Sequence, residues 1–224
     1  MDTKSEPDPT PKYGIMLRDT FITSYLVLYG YTIITFVEAL RTPSQAVRNI
    51  MNIETAVSFV AAYVYGMFLD RMKQPTFDLK DITHLRYLDW GITTPLIILG
   101  VLLFYNKGRD PINYKTFLFL ALSNWAMLGS GYYGEIGALN KTTALGLGFL
   151  FLAVILITIF SCCIPKGGGY IVFIIFSILW SLYGVAYTLD EENKNIMYNV
   201  LDVCAKALFG VVLWAYFGRV LDFK

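Results

Sequence analysis

Lys206 and Asp202 stand one helical turn apart in Asn199-Val200-Leu201-Asp202-Val203-Cys204-Ala205-Lys206-Ala207-Leu208-Phe209-Gly210, inside the last long apolar run of the chain. That run covers about residues 195–220. At about 1.5 Å per residue, Lys206 lies on the order of 16 Å from one end of it and 21 Å from the other. A lysine side chain reaches only about 6 Å, so its ammonium cannot snorkel to a membrane surface from there. A charge at that depth marks a functional site by default and needs a named partner, here Asp202. Two chemistries fit. One is a structural ion pair between helices. The other is a lysine kept for its amine, which condenses with an aldehyde to a Schiff base.

A second charged pair sits in His84-Leu85-Arg86-Tyr87-Leu88-Asp89-Trp90-Gly91-Ile92-Thr93-Thr94-Pro95. Arg86 and Asp89 are three residues apart, so they share a helical face and are expected to pair. Thr93 extends the same stripe. Pro95 frees a backbone carbonyl one turn earlier, for threonine hydroxyls or water to satisfy. Arg86, Asp89, Asp202 and Lys206 together sum to zero charge, as an apolar interior demands. Should Lys206 become a protonated Schiff base, Asp89 and Asp202 are its counter-ions and Arg86 balances the remainder. Trp90, Trp180 and Tyr183 supply flat faces for an apolar ligand. Trp180, Tyr183, Gly184 and Tyr187 follow the spacing of one helical face, a pattern that plain core packing also uses.

Elements that hold such groups in a bilayer must be helices. The 224 residues are 56% hydrophobic and 16% charged, with a mean hydropathy of +0.53. This is too apolar for a soluble domain of that size. Seven runs are each long enough to span, near 19–40, 49–71, 83–105, 113–134, 142–164, 169–189 and 195–220. Short connections make successive helices antiparallel neighbours. The expected fold is an all-α membrane protein, a seven-helix transmembrane bundle over residues 18–224 behind a flexible, proline-containing tail over 1–17. Net charge is +1, with no nucleic-acid footprint. Three cysteines, two adjacent, make neither a disulfide framework nor a zinc pattern. Basic residues divide six to five between the two sets of loops, with Lys194 counted among the five. The vote places the N-terminus outside and the C-terminus in the cytoplasm. His84, the sole histidine, is expected at the surface. Glu38 is expected at the interface. Glu54 faces either headgroups or the bundle, where it would be a gate or proton carrier.

The chain resembles the microbial (type 1) rhodopsins. The resemblance rests on Arg86-Tyr87-x-Asp89-Trp90 with Thr93-Thr94-Pro95, and on Leu201-Asp202-Val203-x-Ala205-Lys206. Met127 with Gly129-Ser130-Gly131 and Trp180-Ser181-x-Tyr183 add to it. It implies all-trans retinal on Lys206 and a membrane transporter or photoreceptor instead of an enzyme. Asp89 is then primary proton acceptor and counter-ion, and Asp202 the second counter-ion. Trp90, Trp180 and Tyr183 line the polyene, and Met127 and Gly131 lie near the ring. The departures matter as much. Where pumps of this family carry a proton-donating carboxyl, this chain has Gly100. The aspartate that pairs with the third-helix threonine is Asn124, so Thr94 and Asn124 would form an uncharged bond. The sixth-helix proline is Gly184, and the tryptophan three residues on is Tyr187. The outer release carboxylate of a pump is Lys194.

These departures put a light-gated cation channel first. Glu54, with Asn52 and Glu38, would form a polar constriction for cations. A weak outward proton pump with Glu54 as spare donor comes second, and a photosensor third. Compact shape and absent donor look like the rhodopsins of large algal viruses, and a second-helix glutamate is a channelrhodopsin feature. Expected partners are retinal, the lipid bilayer and transported cations or protons; homo-oligomerisation stays open.

Overall fold

The computed structural model describes residues 13–106, 113–164 and 170–217. The helices are α1 (Ile15–Arg41), α2 (Gln45–Met72), α3 (Thr83–Tyr105), α4 (Tyr114–Glu135), α5 (Lys141–Cys162), α6 (Tyr170–Ala186), α7 (Glu191–Asp202) and α8 (Phe209–Phe217). A π-helical segment, Val203–Leu208, joins α7 to α8, so the three form one seventh rod. A 3-10 turn, Leu79–Ile82, leads into α3 and is closed by a reciprocal Asp78–Asp81 capping box. No strand occurs among the described residues. Most of the expected tail lies outside the described residues, and α1 already begins at Ile15.

Each rod turns one stripe inward. In α1 the buried positions are Leu17, Phe21, Ser24, Leu28, Tyr31, Thr35 and Ala39, spaced three and four apart. Its exposed positions include Leu26, Ile33, Ile34, Phe36 and Val37. Ser24, Tyr31 and Thr35 thus turn hydroxyls inward while a band of large apolar groups faces outward, an arrangement suited to lipid and costly in water. Five helical stretches are long and apolar enough to cross a membrane, and apolar α6 is shorter. α4 is as long as α5 but is diluted by Asn124, two serines, three glycines and three tyrosines. The seven expected spans are thus seven rods of unequal apolarity.

Short side-chain caps place the helix starts. Ser44 accepts from the Val47 amide, Asn113 from those of Lys115 and Thr116, and Asn140 from those of Thr142 and Thr143. Asp190 caps α7 by accepting from the Asn193 amide at 3.1 Å. The Asn193 side chain and amide hold the Asp190 carboxyl below its usual range. This cap starts the helix at Glu191, earlier than the apolar run suggests. Lys194 is consequently no loop lysine: it lies within α7 and is 3% exposed. Tyr187 falls just past the end of α6, in the turn toward α7, although its amide still donates to the Tyr183 carbonyl.

Pro95 sits inside α3 without ending it. The carbonyl it frees is that of Gly91, and the Trp125 indole N–H of α4 donates to it at 2.8 Å. The threonines do not serve there. Thr93 and Thr94 donate instead to their own i−4 carbonyls, Asp89 and Trp90. A hydroxyl at those positions reaches back along its own helix, whereas the freed carbonyl points outward toward α4.

Candidate functional site

Lys206, in the π-helical segment, is 1% exposed and projects into the middle of the bundle. Its Nζ lies 2.6 Å from Asp89 Oδ2 on α3 and 3.4 Å from Asp202 Oδ1 on its own rod. The two carboxylates are held very differently. Asp202 Oδ1 accepts from the Trp90 indole at 3.0 Å and the Tyr183 hydroxyl at 2.7 Å. Asp202 Oδ2 accepts from the Tyr65 hydroxyl at 2.9 Å and faces Arg86 at 3.5 Å. Three neutral donors and two cations therefore surround Asp202, and its negative charge is well solvated by protein. Asp89 Oδ2 has Lys206, but Asp89 Oδ1 is buried with no hydrogen-bond partner. Of the two, Asp89 has the free lone pair and the shorter path to the amine.

Arg86 does not pair with Asp89 as their spacing suggests. Helical side chains lean toward the N-terminus of their helix, so Arg86 extends away from Asp89. It donates to Asn195 at 3.0 Å, Asn199 at 2.9 Å and Tyr65 at 3.3 Å. Phe68, Phe21 and Tyr198 rings surround its guanidinium. Asn199, fully buried, ties this group to α1: its amide donates to Thr20 and its carbonyl accepts from Ser24. The sequence reading assigned no role to Tyr65 or Asn199. Asn199 stands one turn before Asp202, and Tyr65 stands three turns after Glu54, so helical spacing was the available signal.

Lys206 helps to line a cavity. Trp90, Thr94, Met127, Gly131, Trp180, Tyr183 and Tyr187 all line it. Asn124 does not: it stands behind Thr94, donating to the Thr94 hydroxyl at 2.7 Å, the uncharged bond the substitution implied. Gly148 and Phe149 of α5 complete the wall. Gly184 admits Phe149, since a Cβ there would lie 2.5 Å from that ring. A flat, long apolar ligand with one reactive carbonyl fits this combination of aromatic walls and a single buried amine. Lys206 would hold retinal, the group the resemblance implies, and retinal would supply light absorption and a change of shape on excitation.

Glu54 faces the bundle and is 2% exposed. It occupies a notch between two glycines. A Cβ on Gly210 of α8 would collide with the Glu54 carboxylate and the Tyr31 hydroxyl. One on Gly100 would stand 3.9 Å from Glu54 Oε1. Asn52 is exposed on the far side of α2, so it takes no part in the expected constriction. Glu38 is half-buried and accepts from the Trp214 indole at 3.3 Å, and His84 is exposed. Gly210→Ala tests the notch. Alanine ordinarily gains about 1 kcal/mol over glycine inside a helix. Overpacking against a fixed neighbour costs about 1–3 kcal/mol. The expected net result is a lower melting temperature, checked by thermal denaturation; a rise would mean that Glu54 moves aside freely.

A family model described as bacteriorhodopsin-like protein matches residues 16–220. The fold superimposes on that of the viral rhodopsin OLPVRII with a TM-score of 0.84 and 32% identity, covering 92% of this chain and 100% of that one. Opsin-like protein carO of Fusarium fujikuroi is 28% identical over 158 residues, 61% of this chain and 49% of its own length. The green-light absorbing proteorhodopsin of Gamma-proteobacterium EBAC31A08 is 25% identical over 171 residues, 68% of this chain and 65% of its own length. The chain thus spans about half to two thirds of the length of the curated relatives it matches. Coverage of nearly the whole described bundle by the family match places this chain among the bacteriorhodopsin-like proteins, as a multi-pass membrane protein of the microbial rhodopsin family with retinal as its cofactor.

Proposed function

We propose that the chain moves protons when its chromophore is excited, with Asp89 as acceptor and Glu54 as the group that refills Lys206. The observation that carries this reading is the position of Glu54. Gly100 stands where a donor carboxyl is missing, and the Glu54 carboxylate packs beside it from α2. Gly210, the other wall of the notch, follows Lys206 by one helical turn, a rise of about 6 Å. A carboxyl thus stands on each side of the amine along the bundle. Asp89 is the natural first station because of its 2.6 Å contact and its free Oδ1. Asp202, both of whose oxygens accept hydrogen bonds, acts as a fixed counter-charge. Arg86 keeps the cluster neutral and blocks return from the side of Asn195. In this reading the N-terminus is outside, so Glu54 lies toward the cytoplasm.

A light-gated cation channel is the second reading. A cavity of about 420 Å³ between α1, α2 and α8 favours it. Tyr31, Thr35, Glu38 and Arg41 line that cavity, and it reaches the neighbours of Glu54. Carboxylates along such a path select cations.

Voltage-clamp recording under light flashes separates the two. The proton-transfer reading expects current that stays outward at every voltage and follows no cation gradient. Glu54→Gln should then slow recovery of the photocycle by about 10²-fold, the usual loss for a proton-transfer group. Current that reverses with the cation gradient would replace this reading by the channel.

A further inference from the structure

We propose that Asn199 sets the colour of light the pigment absorbs, by holding the Arg86 guanidinium off Asp202 and so fixing how much negative charge Lys206 feels. This rests on retinal at Lys206 and stands whether the chain pumps or conducts.

Arg86 directs its short hydrogen bonds to neutral groups although a carboxylate stands beside it. Its Nη2 donates to Asn199 Oδ1 at 2.9 Å and to Asn195 Oδ1 at 3.0 Å. Its Nη1 lies 3.5 Å from Asp202 Oδ2, and its Nε is buried with no hydrogen-bond partner. An arginine free to turn would close on the carboxylate with parallel bonds of about 2.7–2.9 Å, roughly twice as strong as bonds between neutral groups. The fork is therefore held away from Asp202.

Asn199 can hold it because Asn199 is itself braced from α1. The Thr20 hydroxyl donates its only proton to the Leu17 carbonyl at 2.8 Å. Toward Asn199, at 3.1 Å, it offers lone pairs alone, so the amide nitrogen of Asn199 must be the atom that faces it. That fixes the amide, with its NH2 toward α1 and its Oδ1 toward Arg86. The Asn199 backbone carbonyl also accepts from Ser24 of α1 at 3.1 Å. The Tyr65 hydroxyl of α2 stands between the two acceptors, 3.0 Å from Asn199 Oδ1 and 2.9 Å from Asp202 Oδ2. Asn195, the second acceptor on Nη2, is braced along its own rod, where its amide donates to the Glu191 carbonyl. Asn199 is thus the acceptor anchored across helices.

The consequence is electrostatic. Asp202 Oδ1 lies 3.4 Å from Lys206 Nζ, while Oδ2 faces Arg86. A guanidinium closed on Oδ2 cancels more of the charge that Lys206 feels, and one held off cancels less. Positive charge at the attached Lys206 nitrogen moves along the polyene when the pigment is excited. Weaker negative charge beside that nitrogen therefore moves the visible band to the red, and stronger negative charge moves it to the blue.

The test compares the full chain with all-trans retinal, in nanodiscs, as wild type, Asn199→Leu and Asn199→Asp. The readouts are the dark absorption band and an experimental structure of Asn199→Leu. Asn199→Leu removes the acceptor at similar size. Its band should move to the red, and its Arg86–Asp202 separation should shorten to about 2.8 Å. Asn199→Asp keeps the shape and gives Arg86 an anion on the side away from Asp202, so its band should move to the blue. Bands that stay in place, or that move in the same direction, overturn the proposal, because a merely structural role loosens both variants alike. An Asn199→Leu structure with Arg86 in its wild-type position overturns it too. Should Asn199→Leu form no pigment, Asn199→Asp decides, and a band at or to the red of wild type overturns the proposal. A wild type with no visible band would remove retinal from Lys206, and this inference with it.

Discussion

Lys206→Ala abolishes the visible absorption band after retinal is added, while the apoprotein still folds. The expected loss is complete, because the described bundle offers no second amine on the cavity wall. Lys194, the other lysine buried among the described residues, is committed to Glu135 and Glu191 at the far end of α7. The stability change depends on charge and not on lost packing alone. Removing Lys206 deletes a desolvated charge, and burial of an ion pair contributes little net stability. It also leaves Asp89 without its only hydrogen-bond donor, a loss of about 3–5 kcal/mol if that carboxylate stays charged. Asp89 avoids this by taking a proton, so apoprotein should persist, with stability that falls as pH rises. Spectra of reconstituted protein and melting curves at two pH values check both halves. A normal band in the variant would sink the assignment of the chromophore to Lys206.

Asp202→Asn has the largest expected effect on stability. Asp202 accepts from Tyr65, Tyr183 and Trp90 and faces both Arg86 and Lys206. An asparagine retains one acceptor oxygen and turns two donor hydrogens toward the Tyr65 and Arg86 side. The buried set changes from two positive and two negative groups to a net positive charge. Breaking a buried pair by removing one partner costs about 3–5 kcal/mol, a large share of the about 5–15 kcal/mol that keeps a domain folded. Tyr65→Phe, which removes one neutral donor and leaves the charges alone, should cost about 1 kcal/mol. Denaturation of the two variants side by side measures the contrast. Equal losses would show that Asp202 acts through hydrogen bonds and not through its charge.

Much of this was legible along the chain. Deep intramembrane charge is so costly that Lys206, Asp202, Arg86 and Asp89 announce themselves by depth alone. Helical periodicity then places them near one another, and apolar run length yields the number of rods. The motifs on the third and seventh runs carry the family, and with it the expectation of retinal. Helix starts were harder, because one capping side chain can move a boundary past an apolar run. Asp190 does so for α7, and with it converts Lys194 from a loop charge into a buried one.

Other matters are decided only when helices far apart in sequence pack together. Spacing pairs Arg86 with Asp89, yet the lean of helical side chains sends Arg86 to Asp202, Asn195 and Asn199. The carbonyl freed by Pro95 finds Trp125 across an interface that no local rule foresees. Glu54 could face lipid or bundle from its sequence; glycines at 100 and 210, on two other helices, open the notch that draws it inward. The physical reason is the same throughout. Periodicity along one helix fixes which residues share a face, but the partner of a buried polar group is chosen by whichever neighbouring rod brings a donor, an acceptor or empty space within about 3 Å. The charges and their depth belong to the sequence, and the choice of who neutralises whom belongs to the bundle.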